Sequence, residues 1–216
     1  MKYLVVNDPH CSDTPPEGRT DEYGQQIMDK LAECWQIAAD RKCDFILQTG
    51  DLFRKFRGLI VSDAMKVHLL RLYKAAPCGV LSIAGNHDLS SDGVSSVWRM
   101  PFGLLAEADA YRWLNEAATF EFGGEKIALI PRNWEPFIDK LPSAFKLTKA
   151  EVALLDEKVY GVMVAHASIL PPGDTRPYPY HDVENLPTSL LDILHCGHLH
   201  EDLGIQKLSS GCWFTN

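Results

Sequence analysis

Five short apolar runs, separated by segments with helical periodicity, constrain the fold of this chain more than any other feature. Each run is rich in Val, Ile and Leu and is bounded by turn residues, which is typical of a strand buried on both faces. The segments between the first three runs repeat apolar residues at helical spacing, and one of them begins after the candidate N-cap Ser62 or Asp63. We therefore predict an α/β fold in which strands alternate with helices. The runs span residues 3–6, 43–47, 78–84, 159–165 and 190–196.

The middle of the chain departs from this alternation. Residues 119–122 and 126–130 flank Gly123-Gly124, and this pattern predicts a β-hairpin that belongs to a second sheet. Further on, the proline-rich residues 170–180 are predicted to form a surface loop.

Length and composition fit one substantial hydrophobic core. The 216 residues are 46% hydrophobic, so we expect a single domain over residues 1–216. Trp35 and Trp98 lie on helical patterns and are expected inside the core. The chain ends directly after an apparent strand at residues 212–215, and the sequence leaves open whether it is part of a longer protein.

Composition also limits the cellular setting and the partners. No apolar stretch approaches the ~20 residues that cross a bilayer, and no signal-peptide pattern surrounds the first run, so we expect a cytoplasmic protein without membrane contact. The six cysteines form no CxxC pair, which argues against a zinc ribbon or a redox dithiol. A formal net charge of -8 disfavours non-specific binding to nucleic acid.

Residue types that bind metals or transfer protons follow every apolar run. In open α/β sheets, ligands bind beyond the carboxyl ends of strands, so we expect these residues to converge. Taken singly, each has an ordinary explanation: an aspartate after a strand is usually a turn or cap residue, and a lone histidine is usually hydrogen-bonded within the core. Their joint order favours one site. They are Asp8 and His10 after the first run, Asp51 after the second, Asn86, His87 and Asp88 after the third, His166 after the fourth, and His198 and His200 after the fifth.

The mixture of carboxylate, amide and imidazole side chains indicates a metal centre. This set suits borderline first-row ions such as manganese, iron or zinc, whereas oxygen ligands alone suit magnesium or calcium. A single ion has no room for seven such ligands. Two ions that lie ~3.5–4 Å apart and share one bridging carboxylate can bind them all, and that arrangement serves in-line attack on phosphorus. Gly50, Gly85 and Gly197 fit the same site because glycine allows tight turns and close backbone approach.

The ordered motifs, D-x-H, G-D, G-N-H-D, a lone histidine and G-H-x-H, resemble those of the calcineurin-like metallophosphoesterase superfamily. The resemblance spans residues 8–200. It implies a four-layer α-β-β-α sandwich in which helices flank two mixed β-sheets. It also implies a hydrolase that uses two divalent ions to cleave phosphate esters. We expect manganese, with iron, zinc, nickel or magnesium as alternatives.

The ligand pattern of the superfamily can be carried over residue by residue. It implies one metal held by Asp8, His10, Asp51 and His200, and another held by Asp51, Asn86, His166 and His198. Asp51 would bridge the two. By the same resemblance His87 would not bind metal; it would protonate the leaving oxygen or steady the scissile phosphate, with Asp88 orienting its ring. A hydroxide that bridges the metals would be the nucleophile.

Within the superfamily, the chain is most similar to the SbcD-type DNA repair exonucleases. Residues 44–53 (DFILQTGDLF) resemble their second motif, and Leu186-Pro187 before the last motif is similar too. This resemblance implies a phosphodiesterase or nuclease that acts on DNA or nucleotides. Those nucleases carry a C-terminal capping domain, which we do not expect here. A partner ATPase or a homodimer is left open.

Two other functions are left open by the sequence. The same metal core serves phosphomonoesterases that act on proteins or small phosphate esters, and the ligand set does not separate them from diesterases. A non-catalytic protein-binding scaffold would also keep the fold, but it would have no use for an acid at position 87.

Substrate contacts are expected from basic and aromatic residues in loops beside the site. Arg54 and Arg57 follow the Gly-Asp motif and Arg176 lies in the proline-rich loop, and arginine suits bidentate phosphate binding. Trp134 and Tyr178 are aromatic candidates because such rings stack on bases. Each of these residues, taken alone, is more commonly a surface residue with no binding role.

Overall fold

The computed structural model describes residues 1–54, 61–156, 159–201 and 203–216, and its strands form two main sheets. The first sheet consists of β1 (Tyr3–Val6), β2 (Phe45–Gln48), β3 (Gly79–Ser82) and β4 (Arg112–Trp113), in this order and all parallel. Six strands form the second sheet: β5 (Ala118–Phe122), β6 (Glu125–Arg132), β7 (Val159–His166), β10 (Ile193–Gly197), β11 (Ile205–Lys207) and β12 (Trp213–Thr215). Its order is β11-β12-β10-β7-β6-β5, with the two outermost pairs antiparallel. The short strands β8 (Ile169–Leu170) and β9 (His181–Asp182) pair separately.

Helices connect the strands of the first sheet. They are α1 (Tyr23–Arg41), α2 (Asp63–Lys74) and α3 (Pro101–Glu107), and a fourth helix, α4 (Lys149–Val152), precedes β7. The helix α2 begins after its predicted cap, since the Ser62 side chain accepts a hydrogen bond from Met65 N at 3.1 Å. Short 3₁₀ helices span Val94–Arg99, Ile138–Lys140, Pro142–Phe145 and Val183–Asn185.

The two sheets pack face to face through an apolar layer. Phe45 and Leu47 of β2 and Leu81 of β3 belong to the same buried cluster as Leu129 of β6 and Val162 of β7. Because successive residues of a strand point to opposite faces, the same strands also contribute to the outer layers of the sandwich.

The outer faces of the sheets are covered by different elements. On the first sheet, α1 and α2 contribute Leu31, Trp35 and Leu69 to a shared core. On the second sheet, the 3₁₀ helices contribute Ile138 and Phe145, and β8 and β9 pack beside them. The predicted α/β sandwich, with two sheets between outer layers, is therefore confirmed.

Two details of these layers differ from the prediction. The described strands of the first sheet are all parallel rather than mixed, because each connects to the next through a helical crossover. Over the second sheet, short 3₁₀ helices take the place of long ones, because the residue before a proline disfavours the helical conformation. Leu141 precedes Pro142, has a ψ of 84° and separates two of these helices.

Of the two tryptophans expected in the core, Trp35 is buried, but Trp98 is 62% exposed. Trp98 lies on the 3₁₀ helix Val94–Arg99, where the α-helical period does not apply, and it packs edge-to-face against Trp113 with ring centres 5.5 Å apart. The prediction for Trp98 was wrong for this reason.

The predicted hairpin is confirmed. The strands β5 and β6 are antiparallel, and Gly123 and Gly124 form the turn with φ values of 58° and 83°. Both values lie in the left-handed region that glycine adopts without strain. The proline-rich residues 171–180 form a loop, as predicted. No helix in the described part of the chain is long and apolar enough to cross a membrane.

Candidate metal centre

The loops that follow β1, β2, β3, β7 and β10 meet at one edge of the sandwich. His10 N donates a hydrogen bond to Asp51 O at 2.9 Å, which joins the first two loops. After β10, His198 N donates to Asp8 Oδ2 at 2.9 Å. The structure therefore brings the predicted ligands together, as expected for the carboxyl ends of parallel strands.

One group of side chains surrounds His10. Its Nε2 atom lies 2.8 Å from His200 Nε2 and 3.5 Å from Asp51 Oδ2. The His87 ring packs edge-to-face on the His10 ring with centres 4.8 Å apart. Ligand atoms of His10, Asp51 and His87 all lie within 4.8 Å of one another, so the predicted acid His87 lies directly beside the predicted ligands of this group.

A second group surrounds Asn86. Its Oδ1 atom lies 3.0 Å from His166 Nε2 and 2.9 Å from His198 Nδ1. His166 Nε2 is also 3.3 Å from Asp51 Oδ1. Ligand atoms of Asp51, His166 and His198 again lie within 4.8 Å of one another. Asp51 thus faces the first group with Oδ2 and the second group with Oδ1.

Asp8 has a buried carboxylate oxygen, Oδ1, that has no hydrogen-bond donor among the described residues. His166 Nδ1 lies 3.6 Å from it, but that nitrogen already donates to Thr49 O at 2.9 Å. Buried carboxylate oxygens are rarely left without a partner. The orphaned oxygen and the surrounding mixed donor set therefore both fit a divalent cation beside Asp8.

Four of the predicted ligands have a left-handed backbone, with φ values of 43° at Asp8, 49° at His10, 48° at Asp51 and 90° at His198. For residues other than glycine this conformation costs on the order of 1–3 kcal/mol each and is concentrated at functional sites. The loops therefore favour the orientation of these side chains over the stability of the backbone.

Two glycines are required because the loops pack closely. A Cβ atom at Gly85 would collide with the Asp51 side chain and backbone and would lie 2.6 Å from His166 Cε1. At Gly197 it would lie 2.6 Å from Thr49 O and 3.0 Å from Asp8 Oδ1. Backbone and predicted ligands occupy the space that any larger side chain would need.

Comparison with known families agrees with this geometry. A family model described as calcineurin-like phosphoesterase matches residues 1–202. The chain belongs to this family. The family depends on two metal ions and hydrolyses phosphate esters, so the predicted resemblance is confirmed at this level.

Solved structures with this fold are distant in sequence. A dimetal phosphatase from Danio rerio is 13% identical, with a TM-score of 0.61 over 99% of this chain and 85% of that chain. The calcineurin-like phosphoesterase YfkN from Bacillus subtilis is 15% identical, with a TM-score of 0.55 over 97% and 75%. The NAD nucleotidase of Haemophilus influenzae is 15% identical, with a TM-score of 0.57 over 99% and 44%. These likenesses show a shared fold. No match was found among curated protein sequences.

Asp88, the predicted partner of the His87 ring, accepts hydrogen bonds from the loop backbone in this calcineurin-like site. Its carboxylate is buried, and burial followed by the charge of Asp51 raises its pKa to about 7. These hydrogen bonds join the loops that carry Asp51 and Asn86, and the role of Asp88 toward the His87 ring stays a prediction. The three backbone donors are Phe53 N to Oδ1 at 2.9 Å, and Leu52 N and Gly85 N to Oδ2 at 3.2 and 3.0 Å.

Burial and neighbouring charges set the protonation of the histidines. Burial lowers the pKa of His10 to about 3 and, together with the charge of His166, that of His198 to about 4. Burial also disfavours a charge on His166, but Asp51 and Asp8 outweigh it and raise its pKa to about 9. Neutral imidazole is the form that binds metals. His10 and His198 are therefore in the ligand form, whereas His166 would exchange a proton for a cation.

The pKa values of the two central aspartates, Asp8 and Asp51, shift in opposite directions. Burial raises the pKa of Asp8 to about 6, although His166 opposes the shift. Burial acts the same way on Asp51, but His166, His87 and His10 outweigh it and hold its pKa below the usual value. Asp51 is therefore ionised near neutral pH, which a carboxylate shared between two cations requires.

The predicted phosphate contacts have different surroundings. The charge of Arg54 interacts with Tyr23 and adds to the effect of burial in lowering the pKa of His87, so Arg54 lies near the predicted acid. Arg57 lies outside the described residues.

Arg176 forms ion pairs with two acidic side chains of the protein. Its Nη2 atom donates to Asp174 Oδ2 at 3.1 Å and to Glu201 Oε2 at 2.5 Å. Glu201 directly follows the predicted ligand His200, so the ion pair fastens the proline-rich loop to the site. The substrate contact of Arg176 stays a prediction, and the two acidic partners are Asp174 in the same loop and Glu201 beside the predicted ligand His200.

A cleft of about 490 Å³ opens beside His198. We call it the aromatic cleft, and it is lined by Trp134, Phe137, Lys140 and Tyr178 among others. Trp134 and Tyr178 were candidates from sequence, whereas Phe137 and Lys140 were missed. No sequence pattern distinguishes Phe137 from a core residue, although its side chain is 69% exposed and its φ is 70°.

Proposed function

We propose that this chain is a two-metal phosphodiesterase or nuclease that acts on DNA or nucleotides, with manganese as its metal. The position of Asp51 carries the proposal, because its two oxygens face two separate groups of ligand atoms. A shared carboxylate is typical of paired ions at phosphate-cleaving sites. The proposed ligands are Asp8, His10, Asp51 and His200 for one ion, and Asp51, Asn86, His166 and His198 for the other.

Two divalent ions held there would supply charge neutralisation at the phosphoryl oxygens and an activated water. The chain itself fixes the geometry of the ligands. His87 N donates to Asp51 Oδ1 at 2.8 Å, and Thr49 O holds the ring of His166 through Nδ1. These bonds leave His166 Nε2 directed toward Asp51 and Asn86, the side on which a ligand is needed.

His87 is proposed to act on the leaving oxygen of the substrate. Burial lowers its pKa, and although the charge of Asp51 opposes this shift, the positive charges of His166 and Arg54 add to it. The ring is therefore neutral in the free protein near neutral pH. A bound phosphate anion would raise its pKa and allow it to hold the proton that the leaving group takes.

Nucleotides are favoured as substrates by the surroundings of the site. The aromatic cleft adjoins His198, and aromatic rings stack on bases of any sequence. The fold is shared with an NAD nucleotidase, which makes nucleotides a direct choice for the first assay. Phosphomonoesters are the second candidate, since a dimetal phosphatase also has this fold.

The test is metal-dependent hydrolysis by the purified protein. Bis-p-nitrophenyl phosphate and p-nitrophenyl phosphate are compared in manganese, beside single-stranded and duplex DNA. We expect preference for the diester together with cleavage of DNA or nucleotides. Preference for the monoester would identify a phosphatase instead, and bound metal without any turnover would support a scaffold.

His87→Ala is the decisive variant in this assay. It should keep its metal content and lose about 10²- to 10⁴-fold in turnover, the usual contribution of an acid or base. His68→Ala is the matched control, because His68 is an exposed histidine on α2. Full activity in His87→Ala would contradict the role assigned to His87.

A further inference from the structure

We propose that the aromatic cleft binds the base of a nucleotide substrate while the phosphate lies at the predicted metal centre, an inference that rests on the proposed function. The cleft and the metal centre share His198. A molecule with a phosphate at one end and a flat ring at the other would therefore occupy both. The cleft volume of about 490 Å³ is within the range of about 300–1,000 Å³ that small-molecule sites occupy.

Phe137 is held out of the core by bonds on the residues that follow it. Ile138 is buried, and its carbonyl accepts a hydrogen bond from His181 Nε2 at 2.8 Å. Asp139 Oδ1 accepts from Ser168 N at 2.6 Å. Because the two residues that follow it are fixed, Phe137 stays 69% exposed in a left-handed conformation. An exposed ring in a conformation that bulky residues avoid is better explained by ligand binding than by stability.

The other aromatic walls are attached to the catalytic loops. Trp134 N donates to Ala84 O at 2.9 Å, directly before the loop that carries Asn86. Tyr178 is 42% exposed and lies in the proline-rich loop that Arg176 fastens to Glu201. The walls therefore keep a fixed position relative to the metal centre, which lowers the entropy lost when a ligand binds.

The chemistry of the lining fits a nucleotide better than a wholly apolar ligand. Lys140 lines the same cleft, with Nζ 5.7 Å from the centre of the Phe137 ring. Asp139 also lines the cleft, but its Oδ1 atom accepts a hydrogen bond from Ser168 N. A cation beside aromatic faces suits an anionic molecule that also carries a planar base. Stacking does not depend on base identity, so we expect binding of several bases with little discrimination.

The test compares two diesters with the same leaving group, thymidine 5′-p-nitrophenyl phosphate and methyl p-nitrophenyl phosphate. Their ratio of kcat/KM reports recognition of the nucleoside, because the bond that breaks is the same. Wild type should prefer the thymidine ester. Phe137→Ala and Tyr178→Ala should each lower the ratio by about 5- to 20-fold, the effect of losing a stacked ring.

Trp98→Ala is the matched control, since Trp98 is an exposed aromatic residue outside the cleft. It should leave the ratio unchanged. A wild-type ratio near one, or a ratio that Phe137→Ala and Tyr178→Ala do not alter, would overturn the proposal. If neither ester were hydrolysed, the proposed function would be contradicted instead. A binding measurement then tests separately whether the aromatic cleft binds a base.

That measurement is the tryptophan fluorescence of the metal-free protein titrated with thymidine, with deoxyribose as the ligand control. Stacking beside Trp134 should quench the emission in wild type and in Trp98→Phe, but not in Trp134→Phe. Quenching that persists in Trp134→Phe, or no quenching in wild type, would show that the base does not bind in the cleft.

Discussion

Two buried histidines on neighbouring strands of the second sheet have opposite surroundings. His166 ends β7 and faces the carboxylates of Asp51 and Asp8, which raise its pKa to about 9. His195 lies in β10, hydrogen-bonded to Tyr3 OH at 2.9 Å and to Thr215 Oγ1 at 2.6 Å, and burial lowers its pKa to about 4. Burial is similar at the two positions, so the neighbouring charges decide the difference.

The two positions illustrate different uses of a buried imidazole. At His166 the ring is surrounded by groups that a cation would bind, and its proton compensates for negative charge. At His195 the ring is neutral and joins β1 of the first sheet to β10 of the second through Tyr3. One histidine belongs to a charged edge of the sandwich, and the other is a hydrogen-bonded link within it.

The largest effect is expected from Asp51→Asn, which removes the negative charge that most raises the pKa of His166. Loss of the shared carboxylate should abolish binding of both metals and lower turnover about a thousandfold or more, or about 4 kcal/mol of transition-state stabilisation. In the metal-free protein, the pKa of His166 should fall toward that of His195. Metal analysis, steady-state kinetics and NMR titration measure these changes.

Asp63→Asn is the control for this variant, because Asp63 is a surface carboxylate on α2 that pairs with Lys66. It should change none of the three measurements. If Asp51→Asn retained two metals, Asp51 would not be the shared ligand.

Gly85→Ala tests how tightly the charged edge is packed. A Cβ there would collide with Asp51 and would lie 2.6 Å from His166 Cε1, so we expect a loss of about 3 kcal/mol in stability together with weaker metal binding. Gly79→Ala is the matched control, since nothing lies within 4 Å of a Cβ at that position. Urea unfolding and metal titration of the two variants make the comparison. Equal behaviour would mean that the loops adapt to the added methyl group.

The convergence of the predicted ligands at one edge of the sandwich could be predicted from sequence because it depends on local features. Asp8 and Asp51 directly follow apolar runs, and the carboxyl ends of parallel strands meet at one edge. The hairpin at Gly123-Gly124 was equally local, since the turn type demands residues that tolerate positive φ.

The features that could not be predicted depend on contacts between distant segments. Asp88 bonds backbone amides more than thirty residues away as well as Gly85 in its own loop. Arg176 is engaged by Glu201, and Phe137 is exposed because His181 anchors the residue after it. Such partners are chosen by tertiary packing, which spacing along the chain does not encode.

A change of pH sharpens the comparison between the two histidines. The pKa of His195 falls from its ordinary 6.5 to about 4 on folding, so the unfolded chain binds a proton first as the pH falls. The free energy of unfolding should then decrease by about 3 kcal/mol through this group between pH 6.5 and 4, and this loss is absent above that window.

His166 contributes a pH dependence of the opposite sign in the metal-free protein. Its folded pKa of about 9 stabilises the fold below pH 6.5, and this stabilisation is lost as the pH rises to 9.

His195→Gln isolates the contribution of His195, because glutamine keeps hydrogen-bonding capacity and does not titrate. Urea unfolding of the metal-free protein across this range gives the difference in free energy of unfolding between variant and wild type. That difference should change by about 3 kcal/mol in favour of the variant between pH 6.5 and 4. A constant difference would show that folding does not lower the pKa of His195.

The smallest effect is expected from Tyr3→Phe, which removes one bond of the link between the sheets. Burial keeps the Tyr3 hydroxyl protonated by raising its pKa. In the His195 tautomer whose Nδ1–H donates to Thr215 Oγ1, the hydroxyl donates to Nε2. Its loss leaves a buried nitrogen without a partner and should cost about 1 kcal/mol in urea unfolding, with metal content unchanged. The same substitution in the His195→Gln background should cost a different amount, because interacting residues are not additive. Equal costs in both backgrounds would show that the bond between Tyr3 and His195 contributes no net stability to the sandwich.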